Sequence, residues 1–189
     1  MSNPMYLPGF LMSQKITLMI NRYEISESDA AGNPTRLMAL AEQKRMAFKE
    51  QVTFYSDAAK SRPVFGFKAR RKLDLNAGYD ITDEQGAQIG YFKKDFGASL
   101  LRSTFHVEGP GFTGTGQERN QVVGLLRRFT DLPFLPVHFD FLDAQGSALF
   151  SVERKMSIGD RYRVTVPDER VDFRVAAAIA VGLDALMSR

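Results

Sequence analysis

Hydrophobic and polar residues alternate along most of the chain, and the alternation is broken three times by the same turn. Tyr79 and Ile81 fall on one face of an extended segment, Asp80 and Thr82 on the other. That period of two marks a half-buried strand. Asp83-Glu84-Gln85-Gly86 follows it. Aspartate suits the first position of a type I turn, and glycine the fourth, where it takes positive φ and closes a short hairpin. The plan recurs at Phe139-Asp140-Phe141 with Asp143-Ala144-Gln145-Gly146. With extra residues before the aspartate, it recurs again at Tyr23-Glu24-Ile25 with Asp29-Ala30-Ala31-Gly32. Each unit then reaches a basic pair: Lys44-Arg45, Lys93-Lys94 or Arg154-Lys155. Return strands are predicted over 87–93 and 148–154, third strands over 101–108 and 161–166, and a further strand over 113–119. Residues 122–129 fit a strand or a short helix.

Two signals conflict between Pro34 and Val52. Propensity favours a helix, capped by Asn33 with Pro34 in its first position. The repeat instead makes 36–40 a strand. The matching stretch of the third unit alternates Leu149, Ser151 and Glu153 against Phe150, Val152 and Arg154, so a strand is the expectation.

From Arg170 the pattern changes. Five alanines between 170 and 187 favour helix, and Val175 to Leu183 presents no polar face. A helix apolar all round is either enclosed by protein or lies in a membrane. This run is about half of the roughly 18 residues needed to span a bilayer. Its small side chains suit a narrow tunnel. The expectation is therefore a helix over 171–187 that threads a closed antiparallel sheet, whose closure also removes exposed strand edges. One domain would occupy residues 1–189, with 1–14 as an N-terminal extension.

Composition narrows the chemistry. A chain of 189 residues with 44% hydrophobic and 25% charged content suits a single globular domain. Without cysteine there is no disulfide, thiolate metal site or cysteine nucleophile. The start, MSNPMYLPGFLMSQK, has neither a basic n-region nor a continuous apolar core, so no signal peptide is expected. The expected location is the cytoplasm, peripheral at the inner face of a membrane.

His106 and His138 fall in predicted strands, and no G-x-S-x-G occurs. Gly109 to Gly114 spells G-x-G-x-x-G, but a strand follows where a dinucleotide loop needs a helix. No His/Cys spacing suits a metal, and the Asp-x-x-Gly turns lack a calcium ligand set. No catalytic residue, cofactor or metal is assigned. Basic residues remain. Lys68, Arg70 and Lys72 share one face of a predicted strand, while Arg71 interrupts its apolar face, where a bulge or buried pair is expected. With Lys93, Lys94, Arg127 and Arg128 they form the candidate site for an anionic lipid headgroup. Each basic residue near an anionic membrane is worth roughly 1 kcal/mol. Net charge is only +3 and no aromatic-basic interleaving marks a stacking platform, so nucleic acid is not an expected partner.

Tandem strand units with Asp-x-x-Gly turns, followed by an apolar helix, resemble the Tubby C-terminal-like superfamily. Within it they are most similar to the LURP-one-related and phospholipid-scramblase-like branch, as a bacterial-type member. The resemblance is carried by Tyr79 to Gly86, Ile89 to Phe96, Ser99 to Phe105, Leu126-Arg127-Arg128, Asp160-Arg161-Tyr162, and Asp172-Phe173-Arg174 through Leu186. It implies a mainly β domain of about twelve strands closed around a buried hydrophobic helix. The superfamily includes phosphoinositide-binding domains and proteins described as scramblases; this chain lacks the scramblases' cysteine cluster. Three functions stay open. The first is a non-catalytic binding or scaffold module for anionic phospholipid, phosphoinositide or a protein partner. The second is a scramblase-like lipid-active protein, and the third a carrier or enzyme with a small-molecule pocket.

Overall fold

The computed structural model describes residues 3–16, 20–44, 51–71, 78–95, 103–119, 137–155 and 160–187. The strands are β1 Gly9–Ile16, β2 Ile20–Ser28, β3 Pro34–Lys44, β4 Gln51–Tyr55, β5 Pro63–Ala69 and β6 Tyr79–Asp83. They continue as β7 Gln88–Asp95, β8 Thr104–Gly109, β9 Phe112–Glu118, β10 His138–Leu142, β11 Ala148–Lys155 and β12 Asp160–Thr165. Each pairs antiparallel with its neighbours in the chain, and β12 returns to β1, giving a closed twelve-stranded barrel. The C-terminal helix, Phe173–Met187, fills its axis.

Alternation dictates the wall. Phe65 and Phe67 of β5, Phe92 of β7, Phe105 of β8, Phe139 and Phe141 of β10 and Phe150 of β11 all point inward and are buried. Every helix residue from Val175 to Val181 is 0% exposed, so the helix has no solvent side. The fit depends on small residues where helix and wall meet. A Cβ on Gly182 would stand 2.6 Å from the Phe92 ring, and one on Gly90 would stand 3.0 Å from Val175.

The three Asp-x-x-Gly segments make three copies of one hairpin. In each, the aspartate Oδ1 accepts the amide four residues on: Asn33 at 2.7 Å, Ala87 at 2.8 Å and Ser147 at 2.8 Å. Gly32, Gly86 and Gly146 take φ of 82°, 83° and 81°. A fourth copy is hidden in the sequence. Asp57-Ala58-Ala59-Lys60 joins β4 to β5, with Ser61 N donating to Asp57 Oδ1 at 3.3 Å and Lys60 at φ 57°. A left-handed lysine costs about 1–2 kcal/mol, while its exposed contact with Glu42, 2.7 Å long, returns roughly 0–1 kcal/mol. Lys60→Gly is therefore expected to stabilise the protein by up to about 1 kcal/mol. A lower urea midpoint for the variant would contradict this.

These four turns and the Gly109–Phe112 turn all join an even-numbered strand to the next odd one, so they share one end of the barrel. The helix enters from that end. The connections at the other end (17–19, 45–50, 72–77, 96–102, 120–136 and 156–159) lie outside the described residues, as does the 122–129 segment. The 36–40 stretch is strand, within β3. Three boundaries shift. Residues 9–14, expected in an extension, belong to β1 and close the barrel against β12. β8 begins at Thr104 and the helix at Phe173. Arg71 lies past the end of β5 and is exposed, so neither a bulge nor a buried pair is needed there.

Candidate functional site

Lys68, Arg70 and Lys93 stand on the outer wall of β5–β7 and its immediate continuation. Phe67 and Phe92 point inward, so their neighbours Lys68 and Lys93 point out. Arg70 Nε and NH2 donate to Asp80 Oδ1 at 2.9 and 2.8 Å, and Gln88 Nε2 donates to the same oxygen at 3.1 Å. The guanidinium lies 4.1 Å over the Tyr91 ring, an arrangement that adds a cation–π attraction. The ring has room because Gly78, at φ 74°, has no side chain; a Cβ there would collide with the Tyr91 phenol. The Asp80 carboxylate raises the Arg70 pKa further. This wall is charge-mixed, because Asp80, Asp95 and Glu108 interleave with the cations.

Lys94 does not join them. It follows inward-facing Phe92 by two residues and turns into the barrel, where Nζ donates to the Leu186 carbonyl at 3.2 Å. A cation there meets the negative end of the helix dipole. The adjacent lysines of β7 thus serve opposite faces, a separation that strand alternation predicts. Lys72, Arg127 and Arg128 lie outside the described residues.

Both histidines face outward. His106 Nε2 is 3.5 Å from Asp95, and His138 Nε2 is 3.7 Å from Asp140. Asp140 is also gripped by Arg119 at 2.7 and 2.6 Å. Among the described residues no group of three His, Asp or Glu side chains is placed to hold a metal.

Two polar clusters at the ends of the helix are more heavily built. At its entry the sequence reads Asp168-x-Arg170-x-Asp172-x-Arg174. Arg174 Nε bonds both Asp172 oxygens at 3.1 Å, its NH2 bonds Oδ2 at 2.7 Å, and its NH1 reaches Glu84 in the β6–β7 turn at 3.3 Å. Arg170 clasps Asp168 in the same way, with NH2 2.6 Å from Oδ2. Its NH1 reaches the Gly111 carbonyl at 3.1 Å and its NH2 reaches Asp143 in the β10–β11 turn at 3.4 Å. Each arginine therefore ties the helix entry to a hairpin tip. Phe173 N donates to the Met5 carbonyl at 2.9 Å, adding the N-terminal segment to the closure.

At the far end, Asp184 is the single acid within the helix and is buried. Tyr23 of β2 and Tyr162 of β12 donate to its two oxygens at 2.9 and 2.5 Å. Gln14 of β1, between those strands, donates to the Tyr23 hydroxyl at 3.3 Å. Burial, and then the Asp184 charge, push the Tyr23 hydroxyl well above the ordinary phenol range, keeping it a donor. Pattern reading missed this cluster. Its one signal was the acid at position 184, directly after the apolar run 175–183.

Hydrogen bonds from Arg170 hold the Asp168 carboxyl below its ordinary range, and those from Arg119 do the same for Asp140. A depressed folded pKa contributes stability that is complete above the unfolded value and disappears as pH falls through the folded one. The thermal midpoint is expected to hold from neutrality to about pH 4, the unfolded aspartate value, and to fall below it. Loss already complete by about pH 5 would contradict this.

No helix among the described residues is long and apolar enough to cross a membrane. No curated protein matches the sequence. A porin-like protein from Bacteroides uniformis, known from a crystal structure, is 8% identical over 87% of this chain and 97% of its own, with a TM-score of 0.25. A likeness that loose carries no argument. The family model for LURP-one-related proteins matches residues 38–184, which takes in the barrel from β3 onward and most of the helix. With the closed barrel and the enclosed helix, this places the chain in the LURP-one-related family of the Tubby-like C-terminal superfamily.

Proposed function

We propose that the protein is a non-catalytic binding module that meets anionic phospholipid or phosphoinositide headgroups with its outer wall, peripherally at the cytoplasmic face of a membrane. The observation that carries this reading is the filled axis. Residues 175–181 are wholly enclosed and occupy the space that a hollow barrel offers to a ligand. Recognition is therefore left to the outside. There, Lys68 and Lys93 flank the Arg70–Tyr91 stack and have no ion pair among the described residues. Arg70 is held in place by Asp80, so the three cations present an ordered face.

At roughly 1 kcal/mol for each basic residue, attachment is weak and sensitive to salt. Co-sedimentation with phosphatidylcholine vesicles, with and without phosphatidylserine or a phosphoinositide, tests this reading. Binding is expected only with the anionic lipid, at low salt, and is expected to weaken in Lys68→Ala/Lys93→Ala. Absence of binding to either anionic vesicle at low salt overturns it.

A further inference from the structure

We infer that the barrel is polarised in charge along its axis, and that this orients it on an anionic bilayer: the far end of the β5–β7 wall meets the headgroups and the helix entry points away. The inference rests on the headgroup reading above and adds a direction to it. The up-and-down order of the strands sorts charge by end. Every turn at the entry except Gly109–Phe112 begins with an aspartate: Asp29, Asp57, Asp83 and Asp143. Each carboxylate accepts a turn amide, so turn chemistry alone makes this end acidic. Those turns (29–33, 56–62, 83–87, 109–112 and 143–147) and the 166–172 connection hold eight acids and three bases. The whole chain carries +3, so an entry end at −5 leaves +8 for everything else. The opposite signature marks the other end. Odd-numbered strands run away from the entry, and each has a lysine or arginine within two residues of its far terminus: Lys15, Lys44, Arg70, Lys93, Arg119 and Lys155. Ion pairs such as Lys15–Glu24 and Arg119–Asp140 cancel charge locally there, as Arg170–Asp168 does at the entry, and the difference between the ends remains.

Distance turns this sorting into an orientation. A strand of about seven residues rises about 23 Å, and at a barrel tilt of about 35–45° its two ends stand about 18 Å apart along the axis. The Debye length at physiological ionic strength is about 8 Å. With the far end down, Lys68 and Lys93 reach the headgroups while the entry carboxylates stand about two screening lengths away. With the entry down, its excess of acids meets a negative surface and both lysines are carried out of range. Lying flat on β5–β7, the barrel brings the Asp57 and Asp83 turns to the surface together with the cations, and tilting toward the far end relieves that repulsion. The same polarity turns the molecule before contact, since charge separated over a protein steers its encounter.

The chain has no cysteine, so a single label can be placed at either end. Gln51 is exposed at the far end of β4, opposite Lys68 of β5, and Ala58 is exposed in the entry turn that follows the same strand. Gln51→Cys and Ala58→Cys, each carrying an environment-sensitive fluorophore, are bound to phosphatidylcholine–phosphatidylserine vesicles that contain a headgroup spin-labelled lipid. Quenching is expected to be about threefold or more stronger at 51 than at 58. Equal quenching, or stronger quenching at 58, overturns the orientation and leaves lipid binding in place. No binding to these vesicles at low salt overturns the headgroup reading and the orientation together. Added charge gives a check without labels. Gln51→Lys is expected to tighten binding by about fivefold, and Ala58→Lys to change it by less than about twofold. Equal tightening by the two lysines would also overturn the orientation.

Discussion

Exchanging Tyr23 and Tyr162 together for phenylalanine is expected to lower the unfolding free energy by about 3–5 kcal/mol. Both hydroxyls donate to Asp184 inside the barrel. A hydrogen bond to a charged group contributes about 1.5–3 kcal/mol, and two are lost while the carboxylate stays buried. Urea denaturation followed by far-ultraviolet circular dichroism measures the change. A loss under about 1 kcal/mol would mean that the phenols do not hold the acid.

Arg174→Ala is expected to cost a similar amount, about 3–5 kcal/mol, because it leaves Asp172 buried without its guanidinium. Arg170→Ala provides the contrast. Its clasp on Asp168 has the same pattern, but the Arg170 side chain is 48% exposed and that of Arg174 is 11% exposed. Water takes over much of what Arg170 provides, so its loss is expected to stay near 1 kcal/mol or less. In a domain of this size 1 kcal/mol moves the thermal midpoint by roughly 2–4 °C. The two variants should therefore differ clearly by calorimetry, and equal midpoints would show that burial does not decide the value of the clasp.

Much of the barrel was legible because a repeated local rule produced it. Asp83, Gly86 and the alternation of Tyr79 and Ile81 are short-range signals, and the structure uses them as read. The fourth turn was hidden because Lys60 occupies the left-handed position that glycine marks in the other three. The Lys60 N to Asp57 O bond and the Ser61 amide on the aspartate side chain match the other turns, while Ser56 N to Arg62 O closes the hairpin one residue further out; the residue that advertises the turn is missing. Within the conflicting 34–52 stretch the repeat pointed to strand at 36–40; pairing of β2 with β3 over nearly the whole length of β3, Pro34–Lys44, decided for the strand there.

The site was less legible, since its partners are distant in sequence. Nothing near Asp184 announces Tyr23, 161 residues away. Lys94 looked like a twin of Lys93 until alternation and the helix end assigned it inward. Tyr91 and Gly78 explain why Arg70 is held flat against the wall, and neither carries a charge that a search for basic residues would notice.

Because β1 pairs with β12, the ring is sealed only after the last strand has been made, and its filling is encoded later still, at 173–187. Strands emerging from the ribosome must wait for both. During that interval the phenylalanine rows have no permanent cover, and the contact that finishes the seal spans most of the chain. Such distant closure slows folding and prolongs exposure of sticky intermediates. The order of elements thus makes synthesis itself the vulnerable period in the life of this barrel.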